Sequence, residues 1–499
     1  MPGASSLFLP RPTPTAAPCT MLLSALIPHL GAISIDGPTD RPINRVVFDS
    51  REAQSADLFV AIRGERVDAR KFVPGLNVAA VLADAEVSAK PDVTVIQVAD
   101  AREAMAHAAA ALAGNPAATM PVVGITGTNG KTTVTWMLES IVTHDGAKVG
   151  VIGTTGHRIG NKKIPANHTT PEAPVMQKML SDMRDAGCRM AAMEVSSIGI
   201  EMRRADAIPF KVGVFTSFSR DHLDFHPTMD AYLQAKARLF DTLLAPDGIA
   251  ILNADEPACM DIDTNGRTTW TYGFKSDASF RIQNPIATVD GTTFEVCTHS
   301  ETLTIHLPLI GAHNVYNAVA ALAAATALGF EPQTSIEGLG SLGTIPGRLE
   351  PIPNSHGITV LVDYAHTPDA LTCVLDSLKG LTDGRVITVF GCGGDRDAGK
   401  RSEMGHAASA GSDHVFVTSD NPRTEDPHSI IGDILPGVSG PHSVEHDRAK
   451  AIEGAISIAQ SGDIVLIAGK GHETTQTIGT SHLPFDDREV AASALEGRQ

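Results

Sequence analysis

The run Gly127-Thr128-Asn129-Gly130-Lys131-Thr132-Thr133 combines the residue types that bind phosphate at the spacing such binding requires. Glycines let backbone N–H groups approach an anion, and a helix starting there adds the partial positive charge of its N-terminus. Lys131 is placed to reach β- and γ-phosphates, and Thr132 to ligate Mg2+. The element order fits. Val122 to Thr126 reads as a strand, and Val134, Met137, Leu138, Ile141 and Val142 then fall on one helical face. The general phosphate-loop pattern asks for a glycine at position 125, which is Ile125 here. A glycine turn before a helix with no nucleotide stays open as the alternative.

A second cluster, Ser219-Arg220-Asp221-His222-Leu223-Asp224-Phe225-His226, follows the strand-like run Val212 to Thr216 and is dense in ligand-type side chains. A His between two Asp also occurs in ordinary polar loops. Thr228 reads as an N-cap, and Met229, Leu233, Lys236, Phe240 and Leu243 share one face of the helix it starts. Burial disfavours the ammonium form of a lysine. A neutral amine can add carbon dioxide and become a carbamate, an anionic oxygen ligand for Mg2+. Periodicity alone favours the plainer alternative, a Lys236 that snorkels to solvent. Met193-Glu194-Val195-Ser196-Ser197 ends a run from Met190 and sets a carboxylate at a strand tip. Glu194 there is either an Mg2+ ligand or a surface glutamate.

These groups need elements to hold them. Strand-like and helix-like stretches alternate along nearly the whole chain, the pattern of an α/β protein with parallel sheets. Further strands are expected at Ile358 to Val362, Val386 to Phe390, His414 to Thr418 and Ile464 to Ala468. Ligands in such sheets gather at the carboxyl ends of strands. The length of 499 residues implies several domains, at roughly 100–200 residues each. Turn-forming stretches at Gly114-Asn115-Pro116 and Thr344-Ile345-Pro346-Gly347 divide the chain into domains 21–116, 117–345 and 346–499. Residues 1–20, rich in Pro, Ala and Thr, are expected to be a disordered extension. The apolar stretch Met21 to Ile27 is cut by Pro28 and is short for a signal core, and Met21 offers an alternative start.

The formal net charge of -18 argues against a nucleic-acid-binding chain, although a local cationic cluster can still hold anionic substrates. The six cysteines, Cys19, Cys188, Cys259, Cys297, Cys373 and Cys392, include no CxxC pair, so neither a zinc nor a redox site is suggested. Free thiols fit a reducing cytoplasm. No apolar run reaches the ~18 residues of a membrane span, so no membrane insertion is expected. A monomer is expected.

Together these segments resemble the Mur ligase family, whose phosphate loop reads Gly-Thr-Asn-Gly-Lys-Thr-Thr, which accounts for the displaced glycine. The resemblance runs from about Arg45 to Asp487. It implies three α/β domains: an N-terminal uridine-nucleotide-binding domain, a central P-loop ATPase-like parallel sheet and a C-terminal Rossmann-like domain. Gly127, Thr128, Asn129, Gly130, Lys131, Thr132 and Thr133 would hold ATP, with Asn314 at adenine, Asp363 at ribose and Arg348 at the γ-phosphate. Thr132, Glu194, His222 and a carbamylated Lys236 would hold Mg2+, and the resemblance thus turns the reading of Lys236 from snorkelling to burial. Lys131, Lys236, His222 and Arg348 would be catalytic. Ser50, in Asp49-Ser50-Arg51, with Thr169, Thr170, Ser196 and Arg204, would contact UDP-N-acetylmuramoyl-L-alanyl-D-glutamate. Arg396, Asp420, Asn421, Pro422, Arg423, Gly469 and Glu473 would bind meso-diaminopimelate. One departure is Ile198, where many relatives carry a His, and a local packing variation is expected there.

The resemblance implies an ATP-dependent ligase of peptidoglycan synthesis that forms an amide bond through an acyl phosphate. Arg423 would select the amine, because a guanidinium pairs with the distal carboxylate that diaminopimelate has and lysine lacks. The alternative for Arg423 is an internal pair with an acid such as Glu425. Rival readings are a lysine-adding ligase, an alanyl-alanine-adding or folylpolyglutamate-type ligase, and a non-catalytic nucleotide-binding relative.

Overall fold

Strands β1 (Ala32–Asp36), β2 (Arg45–Val47), β3 (Asp57–Val60), β4 (Ala80–Ala83) and β5 (Thr94–Val98) form the first sheet in the order β1-β5-β4-β3-β2. Only the β1–β5 pair is antiparallel. Helix α1 (Ala101–Leu112), capped by the Asp100 side chain, packs its alanines on this sheet. Leu23 and Leu26 are buried in the same core. The computed structural model describes residues 20–64, 67–166, 168–288 and 290–498. All of the expected disordered extension except Thr20 lies outside the described residues.

The central unit begins with β6 (Val122–Thr126) and α2 (Lys131–His144), followed by β7 (Val149–Ile152), β8 (His157–Ile159) and β9 (Lys162–Ile164). Helix α3 (Ala173–Asp185) leads to β10 (Met190–Glu194) and β11 (Phe210–Phe215), and α4 (Met229–Arg238) to β12 (Leu244–Asn253). Strands β13 (Thr268–Gly273), β14 (Phe280–Thr288), β15 (Gly291–Cys297) and β16 (Thr302–Leu307) precede α5 (Ala312–Ala327) and α6 (Pro332–Gly340). The eleven strands run β9-β8-β7-β10-β6-β11-β12-β13-β14-β15-β16, parallel from β7 to β14 and antiparallel at both margins. Every residue of β6, β7 and β10 is buried, as expected for parallel strands covered on both faces. The apolar face of α2, Val134, Met137, Leu138, Ile141 and Val142, packs into one core cluster with the alanine-rich α5, whose small side chains permit close approach.

The third unit has strands β17 (Glu350–Pro351), β18 (Thr359–Asp363), β19 (Val386–Phe390), β20 (His414–Val417), β21 (His442–Val444) and β22 (Ile464–Ala468). Their order is β17-β18-β22-β19-β20-β21, all parallel but the first pair. Helices α7 (Pro368–Lys379), α8 (Lys400–Gly411), α9 (Pro427–Ile434), α10 (Arg448–Ile458) and α11 (Asp487–Glu496) cover it, and the Thr475–Ile478/Ser481–Pro484 hairpin lies apart from the sheet.

Small differences from the sequence reading have physical causes. The strand expected to end at Thr216 ends at Phe215, and the Thr216 hydroxyl just beyond it donates to the Asn129 carbonyl, tying the strand end to the glycine turn. The expected strands at Ile358 and His414 become Thr359–Asp363 and His414–Val417. The buried face after Thr228 carries Tyr232, Ala235, Lys236, Leu239, Phe240 and Leu243, while Met229 and Leu233 are only partly buried. A π-turn at Leu239–Leu243 rotates the face there relative to a regular helix.

Candidate active site

The tip of β6 turns into α2 through Gly127 at φ 140° and Gly130 at φ 88°. A Cβ on Gly127 would collide with the Thr216 hydroxyl, so close packing and backbone angle both demand glycine. The loop is braced from the end of β11. Asn129 N donates to Ser217 Oγ (3.0 Å), Ser219 N donates to Thr128 Oγ1 (3.0 Å), and the Tyr232 hydroxyl lies 3.2 Å from Thr128 Oγ1. Lys131 Nζ donates to the carbonyls of Gly127 and Thr128 at 2.7 Å. Burial lowers the Lys131 pKa, opposed by the charges of Glu194 and Asp221.

Glu194 sits at the tip of β10 with 1% exposure, so the surface-glutamate alternative fails. Its carboxylate accepts from Thr132 Oγ1 (3.0 Å), Thr154 N (2.9 Å) and Thr154 Oγ1 (2.9 Å). Lys236 is likewise buried, at 1% exposure, and the snorkelling alternative fails. Its Nζ donates to Gly127 O (2.9 Å), lies 4.3 Å from the Tyr232 ring centre, and makes no ion pair among the described residues. Burial first and the Lys131 charge second hold its pKa well below the ordinary range. A buried amine without a carboxylate is the environment in which the neutral form persists. His222, at φ 55°, has its pKa pushed down to about 4 by burial, against the Asp221 carboxylate 3.6 Å away. Any positive charge on Lys236 or Lys131 acts in the same direction as burial.

The donor chemistry suits a hard divalent ion. Glu194 and Thr132 offer adjacent oxygens, and a carbamate on Lys236 would present a further one near the Gly127 carbonyl. No group of three or more His, Cys, Asp or Glu forms a metal cage among the described residues. Mg2+ seldom needs one, since it retains waters and takes substrate phosphates.

Around Glu194 the structure gathers four further residues singled out in the sequence. Thr169 Oγ1 lies 3.0 Å from Thr154 Oγ1, and Thr170 Oγ1 donates to Glu194 O (2.9 Å). Ser196 N donates to Thr170 Oγ1 (3.0 Å), and Arg204 Nη1 donates to Thr170 O (3.0 Å) while its Nε pairs with Glu172. Ser50 is not joined to this group; it lies in the turn after β2 and has no side-chain hydrogen bond among the described residues. Ile198 lies, half-buried, in the turn of helix Ser197–Glu201, and the hydrogen bond to His226 comes from its neighbour Ser197 (3.0 Å).

The third unit closes over this surface. Arg348 Nη2 donates to Thr132 Oγ1 (3.2 Å), and its guanidinium lies 4.9 Å from the Tyr364 ring centre. Asp363 accepts from Leu349 N (2.7 Å) and Ala365 N (2.8 Å), so its oxygens hold the turn that presents Arg348. Burial raises its pKa, with the Arg348 charge opposing. Asn314 is buried at the start of α5 and spends its amide on Ile310 O (2.8 Å) and Asn317 (3.2 Å). Sequence reasoning missed the bonds across this cleft: Arg220–Asp397 (2.9 Å), Arg220–Glu403 (3.2 Å), Asp221–Lys400 (3.7 Å) and Asp221–His366 (3.8 Å). It also missed Tyr232, whose four-residue spacing before Lys236 was the available signal.

Beyond the ends of β19, β20 and β22 lie the residues assigned to the amine. Asn421 Nδ2 donates to Glu473 Oε2 (2.8 Å), and the fully buried Lys470 binds both Asn421 Oδ1 (3.2 Å) and Glu473 (2.9 Å). The backbone of Gly469 lies against the Asp420 carboxylate, 2.7 Å from where a Cβ would stand. The Pro422 carbonyl lies against the backbone of Gly394. Arg396 Nη1 donates to Asp395 O (2.9 Å) and is 3.9 Å from Asp224 of the central unit. Arg423 Nη1 donates only to Gly394 O (2.7 Å), and its guanidinium pairs with no carboxylate among the described residues. Glu425 pairs instead with Arg401 (2.8 Å), so the internal pair weighed for Arg423 is not made.

Two family models match the chain: the Mur ligase middle domain over residues 125–325, and the Mur ligase glutamate ligase domain over 347–471. The chain is 42% identical to the UDP-N-acetylmuramoyl-L-alanyl-D-glutamate--2,6-diaminopimelate ligase of Geobacter sulfurreducens, covering 95% of this chain and 99% of that one. It is 44% identical to the ligase of the same name from Geobacter metallireducens, over 91% of this chain and 94% of that one. A solved structure of a ligase of that name superposes with a TM-score of 0.69 at 33% identity, over 96% of this chain and 99% of the other. The chain belongs to the Mur ligase family.

Proposed function

We propose that the chain is an ATP- and Mg2+-dependent ligase that joins meso-2,6-diaminopimelate to UDP-N-acetylmuramoyl-L-alanyl-D-glutamate, a step of peptidoglycan synthesis. The observation that carries the reading is the shared cleft. Arg348 of the third unit reaches Thr132 in the phosphate loop, and the same unit presents an Arg423 that pairs with no carboxylate among the described residues. The named relatives, about two-fifths identical over nearly full length, support the same substrates.

A carboxylate oxygen is a poor leaving group, so the glutamyl carboxylate must be activated. In this reading it attacks the γ-phosphorus of ATP, forming an acyl phosphate and releasing ADP. The amine of diaminopimelate then attacks the acyl carbon, loses a proton and expels phosphate. Two anions must meet in the first step. Lys131 and Arg348, both partly buried, lower that repulsion by positive charge held in place beside the loop. Thr132, Glu194, His222 and carbamylated Lys236 would hold Mg2+, which supplies further charge neutralisation. Thr169, Thr170, Ser196 and Arg204 would orient the dipeptide and Ser50 the uridine nucleotide. Asn314 and Asp363 shape the walls that receive adenine and ribose. Arg396, Asp420, Asn421, Pro422, Gly469 and Glu473 would orient diaminopimelate around Arg423.

The deciding assay supplies ATP, Mg2+ and UDP-N-acetylmuramoyl-L-alanyl-D-glutamate with either meso-diaminopimelate or L-lysine, and follows phosphate release and product mass. Turnover with diaminopimelate alone is expected. Turnover with lysine would keep the ligase and overturn the amine assignment.

A further inference from the structure

We infer that Arg401 is a positioning residue for amine selection: it holds the Glu425 carboxylate away from Arg423 and so keeps that guanidinium open to a substrate carboxylate. The inference rests on the reading of Arg423 proposed above. Glu425 is two residues from Arg423 on the same loop, and as an acid beside a guanidinium it is a natural internal competitor. The structure resolves the competition in favour of a third residue. Arg401 rises from the first turn of α8, its side chain 3% exposed, with Nη2 2.8 Å from both Glu425 oxygens and Nη1 2.9 Å from Asp433. Its charge is thus met by two carboxylates, which makes the buried cation tolerable.

The two loops that carry Arg396 and Arg423 are tied together beside this contact. Glu425 Oε1 also accepts from Asp395 N (2.5 Å), and the Asp395 carboxylate accepts from Thr424 N (3.2 Å) and Oγ1 (2.7 Å). Gly394 N donates to Asn421 O (2.9 Å), and Arg423 Nη1 returns to Gly394 O (2.7 Å). The backbone of Gly394 lies so close to Pro422 O that no Cβ fits between them. A Gln at position 425 keeps an oxygen that can accept from Asp395 N, and the Asp395–Thr424 and Gly394–Asn421 bonds do not involve position 425, so the tie between the two loops does not depend on the Glu425 charge.

Steady-state phosphate release from the full chain tests this with wild type, R401Q, E425Q and the R401Q/E425Q double variant. KM is measured separately for diaminopimelate, ATP and the UDP-dipeptide, and thermal melting is followed in parallel. R401Q is expected to raise the diaminopimelate KM about tenfold while leaving the ATP KM within about twofold. The double variant is expected to recover most of that loss, since a neutral amide at position 425 no longer competes for Arg423. E425Q alone is expected to stay within about threefold of wild type. A double variant no better than R401Q, or an E425Q as impaired as R401Q, overturns the inference and leaves Arg401 a plain structural tie. Should R401Q fail to fold, E425Q is judged against wild type: a diaminopimelate KM within about threefold supports the inference, and one raised about tenfold overturns it. Turnover by wild type with an unchanged diaminopimelate KM in R401Q overturns this inference alone. Absence of diaminopimelate-dependent turnover in the wild type overturns the proposed function and this inference with it.

Discussion

The proposed phosphate loop of the central unit is seven consecutive residues, Gly127 to Thr133, whereas the proposed amine pocket of the third unit draws Arg396, Asp420 to Arg423, Gly469 and Glu473 from three separate loops. The first is organised by backbone: two glycines at positive φ, a helix start, and carbonyls that Lys131 binds at 2.7 Å. The second is organised by side chains: Lys470 between Asn421 and Glu473, Arg401 on Glu425, and Arg448 beneath the sheet ends. A backbone site binds what every nucleotide shares. A side-chain site can distinguish one amino acid from another, and it depends on supports that touch no substrate.

Removing one charge should expose that difference most strongly in the phosphate loop. Lys131→Ala is expected to lower the rate of phosphate release by about a thousandfold or more, with melting temperature near wild type. A variant that lost affinity for diaminopimelate instead would break the comparison. The next effect falls on stability in the third unit. Arg448 and Asp487 form a pair at 2.7 Å with both side chains 0% exposed, and Arg448 also donates to Ala468 O (2.9 Å) just before Gly469. Arg448→Met leaves a buried carboxylate unpaired and is expected to cost about 3–5 kcal/mol, read by chemical denaturation.

Arg423→Ala is expected to raise the diaminopimelate KM about a hundredfold while sparing ATP binding, measured by the two KM values side by side. Equal loss for both substrates would show that the two regions are not separable. The smallest effect concerns pH. Burial first and the Arg348 charge second push the pKa of His313 from 6.5 to about 4. The unfolded chain therefore takes up this proton before the folded one does. Stability from this group is full above pH 6.5 and is lost as pH falls from 6.5 toward about 4. The expected loss near pH 5.5 is about 1 kcal/mol, and His313→Gln should remove that part of the slope in a melting series.

Much of the central unit was legible because its signals are local. Five apolar residues at helical spacing marked the buried face of α2, and the strand before it was a continuous apolar run. Lys236 was not legible by the same rule. Its neighbours Met229 and Leu233 share its periodic face yet remain partly exposed, whereas Tyr232, Ala235 and Leu239 close around it. Periodicity locates a stripe, but the packing of Tyr232 and the shift at Leu239–Leu243 decide which part of the stripe is sealed. The cleft pairs were illegible for another reason, since Arg220 and Asp397 are distant in sequence and nothing local links them.

The amino-acid sequence by itself determined the α/β class, the glycine turn at Gly127 and Gly130, the cap at Thr228 and the carboxylate at the tip of β10, because each follows from residue type and short-range spacing. Tertiary structure alone decided that Lys236 loses contact with water, that Arg348 reaches Thr132 and that Glu425 belongs to Arg401 rather than Arg423. Burial and ion pairing depend on distances between segments far apart in the chain, and a charged side chain adjacent in sequence to an acid still pairs with whichever partner the packed elements bring within reach.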